Sequence, residues 1–204
     1  MIKQLQSLKY SAETYGVEPI ASIVLNDPRF STWSCASFDK AHHYGDGGLL
    51  QHTWEVIHFA IHNKNAVDQN SLEGWMRPET GDNLPSGKEI YLAGLFHDYG
   101  KIWDYERVID QETKLPKWIG TDHKRKIHHI NRSASEWTRA VERTGMCSDI
   151  HDSVLHAILS HHGLPQWGSP VGPNTRLAWL IHLADQISAR MYDCDTIESG
   201  KKHK

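Results

Sequence analysis

Apolar residues recur at helical spacing along most of this chain. The pattern predicts helices over residues 2–14, 18–25, 47–64, 87–97, 123–144, 148–162 and 173–192. The best-phased segment begins after Gly47-Gly48. There Leu49, His52, Val56 and Phe59 share one face, while Gln51, Glu55, His58 and His62 share a polar face that reads as solvated. Ile90 to Phe96 runs with no polar face, as in a helix covered on all sides. Trp103 to Ile119 alternates enough to predict a small β-hairpin with Gln111 to Lys114 at its turn. Pro78 to Pro85 is dense in turn formers and reads as a surface loop. The expected fold class is all-α: a helical bundle with a small β-hairpin near residues 103–119.

A chain of 204 residues can bury one sizeable core, and no Pro/Gly/Ser-rich linker divides it. The expected organisation is a single domain over 1–204, with a core of about 42–192, a helical N-terminal extension at 1–40 and a flexible tail at 195–204. A formal net charge of -3 offers no global attraction to nucleic acid or to an anionic membrane, so a polyanion must be met by a local patch. His123-Lys124-Arg125-Lys126 is the one compact basic run, opening the helix that carries His129, and such runs are most often solvated helix starts. Cys35, Cys147 and Cys194 are odd in number, widely spaced and form no CxxC; they read as free or buried thiols of a reducing cytoplasm. The first residues lack the apolar core of a signal peptide, and no run approaches membrane-spanning length. A cytoplasmic protein without a membrane partner is expected, with room for a homo-oligomer.

Histidine changes the picture: there are 15, against 22 Lys+Arg. His52 lies on an apolar face, where a lone imidazole is more often satisfied by a backbone carbonyl than by a metal. His97-Asp98 ends the apolar run, and Gly100 then permits a sharp departure. An adjacent imidazole and carboxylate can supply a nitrogen and a bridging oxygen to two metals. Asp185 has Ala178, Ile181, Ser188 and Ala189 as helical neighbours, so its carboxylate faces inward, and a buried carboxylate needs a metal, a cation or a proton. His161 and His162 both end a helix near its apolar face, and His128 and His129 both start one; phase does not choose within either pair. Lys101, one turn past Asp98, reads equally as a phosphate contact or a solvated helix-end lysine. Trp167 is placed to stack a base, whereas Trp33, Trp103 and Trp118 read as packing residues. His58 and His62 belong to the solvated face, and His151, His156 and His182 are given no role.

Taken together, His52, His97-Asp98 and Asp185 resemble the H…HD…D signature of the HD-domain metal-dependent phosphohydrolases, and His129 and His161 resemble the added ligands of its dinuclear members. HHYGDGGLLQHTWEV, AGLFHDYGKI, HHINRSA, LSHHGLPQWGSPVGP and AWLIHLADQISARM resemble, in order, segments of the HD domain of YhaM-type 3′→5′ exoribonucleases, with His128 standing where those have glycine. The resemblance covers about His42 to Met191. It departs at the amino terminus, where YhaM-type enzymes carry an OB-fold module that residues 1–40 are too short to supply. Conjugative relaxases with HD domains share the GGLL-H and HD-x-GK segments.

The resemblance implies one metal held by His52, His97, Asp98 and Asp185, and a second held by Asp98, as bridge, with His129 and His161. Two divalent transition-metal ions (Mn2+, Fe2+, Co2+, Ni2+ or Zn2+) would activate a water for attack on a phosphodiester. Asp98 and Lys101 take the catalytic roles, and Lys101, His128, His162, Trp167 and Arg190 contact a substrate that is a nucleotide or short single-stranded nucleic acid. Two other enzyme readings share these ligands: a nucleotide phosphatase or triphosphohydrolase, and a mixed-valent di-iron oxygenase. A binding module with a decayed site is disfavoured, because no ligand is missing.

Overall fold

A computed structural model describes residues 2–38, 41–71, 84–146 and 148–191. Most of the loop expected at 78–85, Cys147, Cys194 and the tail expected at 195–204 lie outside the described residues. The helices are α1 (Ile2–Tyr15), α2 (Glu18–Leu25), α3 (Gly48–Ser71), α4 (Gly87–Phe96), the short α5 (Lys101–Asp104) and α6 (Asp122–Lys126), α7 (His129–Thr144), α8 (Ser148–Ser160) and α9 (Arg176–Met191). Between α5 and α6 lies an antiparallel hairpin of β1 (Tyr105–Ile109) and β2 (Pro116–Gly120), paired from Tyr105↔Gly120 to Ile109↔Pro116. The fold class is the expected one, all-α with a small hairpin. Among the described residues no helix is long and apolar enough to cross a membrane.

Helix α4 is the hub. Its start is fixed by a capping box: Ser86 Oγ accepts from the Glu89 N–H, and the Glu89 carboxylate accepts from the Ser86 N–H. Such a cap stabilises a helix start by about 1 kcal/mol. Every residue from Ile90 to Phe96 is buried, because α1, α2, α3, α7, α8 and α9 all pack around it. His97-Asp98 therefore leaves a helix covered on all sides. Gly100 lets the chain pass directly under the start of α7: a Cβ there would sit 2.2 Å from the His129 carbonyl oxygen, and the Gly100 N–H donates to Ser133 Oγ at 2.8 Å. Any side chain at 100 would push His129 away from Asp98.

Helix α7 buries His129, Ile130, Ser133, Trp137 and Ala140 on one face and ends at Gly145 in the left-handed conformation, a common helix stop. Trp137 packs edge-on against Phe96 at 5.2 Å, locking α7 to α4. The N-terminal segment joins the same core, with Leu8, Ala12, Ile20, Ala21 and Val24 buried and Tyr91 donating to the Leu8 carbonyl. Trp33 and Trp118 pack edge-on, and the guanidinium groups of Arg29 and Arg132 both stack on the Trp103 ring, so these indoles are packing residues as expected.

Two expectations need correction. Residues 123–144 are not one helix: α6 and α7 are separated at Ile127-His128, where His128 adopts φ 69°. The basic run is thus a separate short helix, with Arg125 and Lys126 paired to Asp122 and Lys124 resting on the Tyr105 ring. The polar face of α3 is also only partly solvated. His58 and His62 are exposed, but Glu55 is 6 % exposed, covered by α9 and by the segment at His43.

Candidate metal centre

Packing of α3 along α9, and of α8 beside both α4 and α9, carries the histidines and aspartates of five segments to one point. His52 comes from α3, His97 and Asp98 from the end of α4, His129 from the start of α7, His161 from the residue after α8, and Asp185 from α9. All six are buried.

The first set comprises His52, His97, Asp98 and Asp185, whose donor atoms lie within 4.8 Å of one another. His52 Nε2 is 3.0 Å from Asp185 Oδ1, 3.2 Å from Asp98 Oδ2 and 3.2 Å from His97 Nε2. His97 Nε2 is 3.5 Å from Asp98 Oδ2 and 3.9 Å from Asp185 Oδ1. An ion bound at about 2.1 Å sets neighbouring donors about 3.0–3.4 Å apart, so these separations suit one cation. The second set comprises Asp98, His129, His161 and His162. His129 Nε2 and His161 Nε2 lie 3.4 and 3.5 Å from Asp98 Oδ1, so the two oxygens of Asp98 face different sets.

Each imidazole is oriented by its other nitrogen. His97 Nδ1 donates to the Gly94 carbonyl and His161 Nδ1 to the Ile158 carbonyl, both at 2.7 Å. A carbonyl can only accept, so in the neutral rings Nε2 carries a lone pair. His129 Nδ1 donates to Asp104 Oδ2 at 3.0 Å, and His52 Nδ1 to Ser188 Oγ, which in turn donates to Glu55 Oε2. Tying off Nδ1 in this way fixes the tautomer of a metal-binding histidine.

Asp98 Oδ1, His129 Nε2 and His161 Nε2 are all buried without a hydrogen-bond partner. Each is an acceptor, and they converge with no donor among them. Three acceptors without a donor repel one another and forgo about 1–3 kcal/mol each in lost hydration. A cation at their meeting point satisfies all three, so this donor set fits a second ion. Carboxylates with imidazoles and no thiolate suit first-row transition metals.

Lys101 corrects the solvated reading: it is buried, and its Nζ lies 2.6 Å from Asp98 Oδ2 and 3.1 Å from Cys35 Sγ. Burial opposes its charge, yet Asp98, Cys35 and Tyr105 together hold its pKa well above the lysine value. Asp98 is likewise disfavoured by burial, but Lys101 and His97 hold it well below the carboxylate range, so it is an anion. Burial also works against a charge on His52; Cys35, Asp185 and Asp98 outweigh it and lift its pKa to about 10. His97 and His129 are lowered, chiefly by burial, and stay neutral. The proton on His52 must leave before Nε2 can ligate. Metal uptake at pH 8 is therefore expected to release about one proton per chain from this residue, and affinity should fall about tenfold per unit of acidification. Titrating Mn2+ into unbuffered, metal-stripped protein with a pH indicator checks this; pH-independent uptake with no proton released would contradict it.

Of the residues expected at the substrate side, His128 and His162 stand beside the second set, with ring centroids 4.1 and 5.1 Å from His129. His162 is a possible donor in that set, and its Nδ1 donates to the Trp167 carbonyl at 2.7 Å. Trp167 is half exposed, in a single 3-10 turn (Pro165–Trp167) next to them. Arg190 is exposed on the last turn of α9. His182, given no role from sequence, donates to the His161 carbonyl and so braces that segment.

Five participants are not singled out by the sequence pattern. Asp104 is fully buried and accepts from the His129 N–H, from His129 Nδ1 and from His123 Nδ1. Ser188 and Glu55 orient His52. Cys35 and His42 bring donor atoms within 4.8 Å of each other and of a His52 nitrogen. Ser188 and His42 were in view, as a small neighbour of Asp185 and within the HH pair; Asp104 gave no signal. Replacing Asp104 by Asn leaves His129 its shape but weakens the acceptor behind it. We expect a 10- to 100-fold loss of affinity for the second metal, read by competition with a chromogenic chelator, while the first ion stays bound.

The HD-domain family model matches residues 49–190, which include all six residues. Among curated proteins the chain is similar to the 3′-5′ exoribonuclease YhaM of Bacillus pumilus, 28% identical over 152 residues, or 74% of this chain and 41% of that protein. The protein of the same name from Geobacillus sp. is 23% identical over 192 residues, 94% of this chain and 52% of the relative. That from Oceanobacillus iheyensis is 31% identical over 153 residues, 74% and 41%. The chain thus spans about half, or less, of the length of the curated relatives it matches. No solved structure matches it.

Proposed function

The chain belongs to the HD-domain family, and on that premise we propose that it is a metal-dependent phosphohydrolase cleaving phosphodiester bonds in nucleotides or short single-stranded nucleic acid. One observation carries the reading: the two carboxylate oxygens of Asp98 face two separate donor sets, one of which is a buried cluster of acceptors with no hydrogen bonds. Likeness to YhaM exoribonucleases favours an RNA strand as the substrate.

In this reading His52, His97, Asp98 and Asp185 hold one divalent ion, and Asp98, His129 and His161 hold another. When bound, such a pair supplies Lewis acidity, polarising a phosphoryl oxygen and bringing the pKa of a water towards neutrality. The chain's own groups supply the rest. Lys101 keeps its proton on Nζ, fixes Asp98 by an ion pair and offsets part of the negative charge that gathers during attack on phosphorus. Gly94, Ile158 and Asp104 hold the Nδ1 protons of His97, His161 and His129, so the rings cannot turn away. His128, His162 and Trp167 form the wall beside the second set and contact the substrate, with Arg190 as a further contact.

The test is to incubate metal-stripped protein, with and without manganese, with nucleotides, cyclic dinucleotides and short single-stranded oligonucleotides, and to read products by mass. Metal-dependent shortening of the oligonucleotides is the expected result. Release of phosphate or triphosphate from mononucleotides alone would replace this reading with a nucleotide phosphatase. Conversion only in the presence of iron and dioxygen would replace it with an oxygenase.

A further inference from the structure

We propose that His128 is a specificity-determining residue, whose ring packs against the unpaired nucleoside next to the scissile phosphate; this rests on the hydrolase reading above. His128 has φ 69° and ψ 146°, a conformation that glycine takes freely and a residue with a Cβ takes only under strain. The backbone needs no side chain there. Its N–H donates to the His123 carbonyl, its own carbonyl accepts from Arg132 N–H, and its side chain caps no helix. Glycine would make the same turn between α6 and α7 without strain, so the imidazole is kept for what it touches.

What it touches is the rim of the second donor set. The half-buried ring lies over His129 at 4.1 Å with a 38° tilt and stands 6.2 Å from His162. The turn after Trp167 closes on both rings: a Cβ on Gly168 would lie 3.5 Å from His128 Cε1 and 3.8 Å from His162 Nδ1. Thus the start of α7, the end of α8 and the Trp167-Gly168 turn meet at this imidazole, with the exposed indole beside them. Among the described residues this rim presents the flat rings of His128, His129, His162 and Trp167, and the neighbouring cations on α5 and α7 are held elsewhere. Arg132, the nearest guanidinium on α7, is stacked on Trp103 and donates to His123 Nε2, and Lys101 is buried beneath Asp98. Clustered flat rings suit the planar base of an unpaired nucleotide, whereas a free phosphate calls for charge-assisted donors.

The experiment compares wild type, His128→Gly and His128→Phe on the diadenosine diester ApA and on the same diester lacking both bases, with metal content and melting temperature measured alongside. In His128→Gly, the preference for ApA over the abasic diester, as a ratio of kcat/KM values, is expected to fall about tenfold or more, mainly through KM for ApA. The melting temperature should hold or rise by a few degrees as strain is relieved. His128→Phe, which keeps a flat ring, should retain most of the preference. An unchanged preference in His128→Gly overturns the inference, as does a loss accompanied by falling metal content and melting temperature, which would mark a structural role. A wild type inactive on both diesters overturns the hydrolase reading and this one together, whereas an active wild type with an indifferent His128→Gly overturns this one alone.

Discussion

Asp98→Asn is expected to lower turnover of bis-p-nitrophenyl phosphate by about a thousandfold or more at saturating manganese, a barrier increase of about 4 kcal/mol. No other single ligand should cost as much. Asp98 alone presents one oxygen to each donor set, Oδ2 towards His52 and His97 and Oδ1 towards His129 and His161. The amide keeps the shape but loses the charge that holds both cations, and it places an NH2 where one of them should bind. It also strands the buried ammonium of Lys101, whose carboxylate partner is 2.6 Å away. Breaking one side of a buried pair costs about 3–5 kcal/mol of stability, so the variant must be assayed well below its own melting temperature. His58→Ala provides the contrast. His58 is exposed on α3 and stacked on Trp54, and its loss should leave turnover nearly unchanged. An Asp98→Asn protein that is folded and fully active would remove the mechanism.

The second large effect is on metal content. His129→Ala or His161→Ala should cut bound metal from about two ions per chain towards one and lower turnover by orders of magnitude, because each removes one of two nitrogens facing Asp98 Oδ1. The His97 Nε2–Asp98 Oδ2 and His52 Nε2–Asp185 Oδ1 geometry of the first set does not depend on either side chain. Elemental analysis by mass spectrometry checks this. A wild type that never exceeds one ion would leave a four-ligand mononuclear site in its place.

His52 and Asp185 were legible because helical phase alone sets which face a residue occupies, and both sat among apolar or small neighbours. His97-Asp98 was legible because seven apolar residues precede it. Phase could not separate His161 from His162, because both follow the last turn of α8; the structure aims His161 Nε2 at Asp98 and turns His162 Nδ1 to the Trp167 carbonyl. The break at His128 has no signal in this chain's own pattern, only in the glycine that the resembling segments carry there. Positive φ is ordinarily signalled by glycine or asparagine, and here a histidine occupies it. Glu55 reads as part of a solvated face and Asp104 carries no signal, since their burial is created by segments distant in the chain: α7 closing over Asp104, and α9 with His43 closing over Glu55. Local pattern sets which elements form and which face is apolar. It does not say which polar residue a distant element will cover.

If two ions held across Asp98 drive phosphodiester hydrolysis, manganese titrated into metal-stripped protein should restore hydrolysis of bis-p-nitrophenyl phosphate in a stoichiometric way. Activity is expected to stay low through the first equivalent, rise with the second and level off at about two ions per chain. Full activity at one equivalent, or no hydrolysis at any ratio of metal to protein, would rule out a two-ion hydrolase.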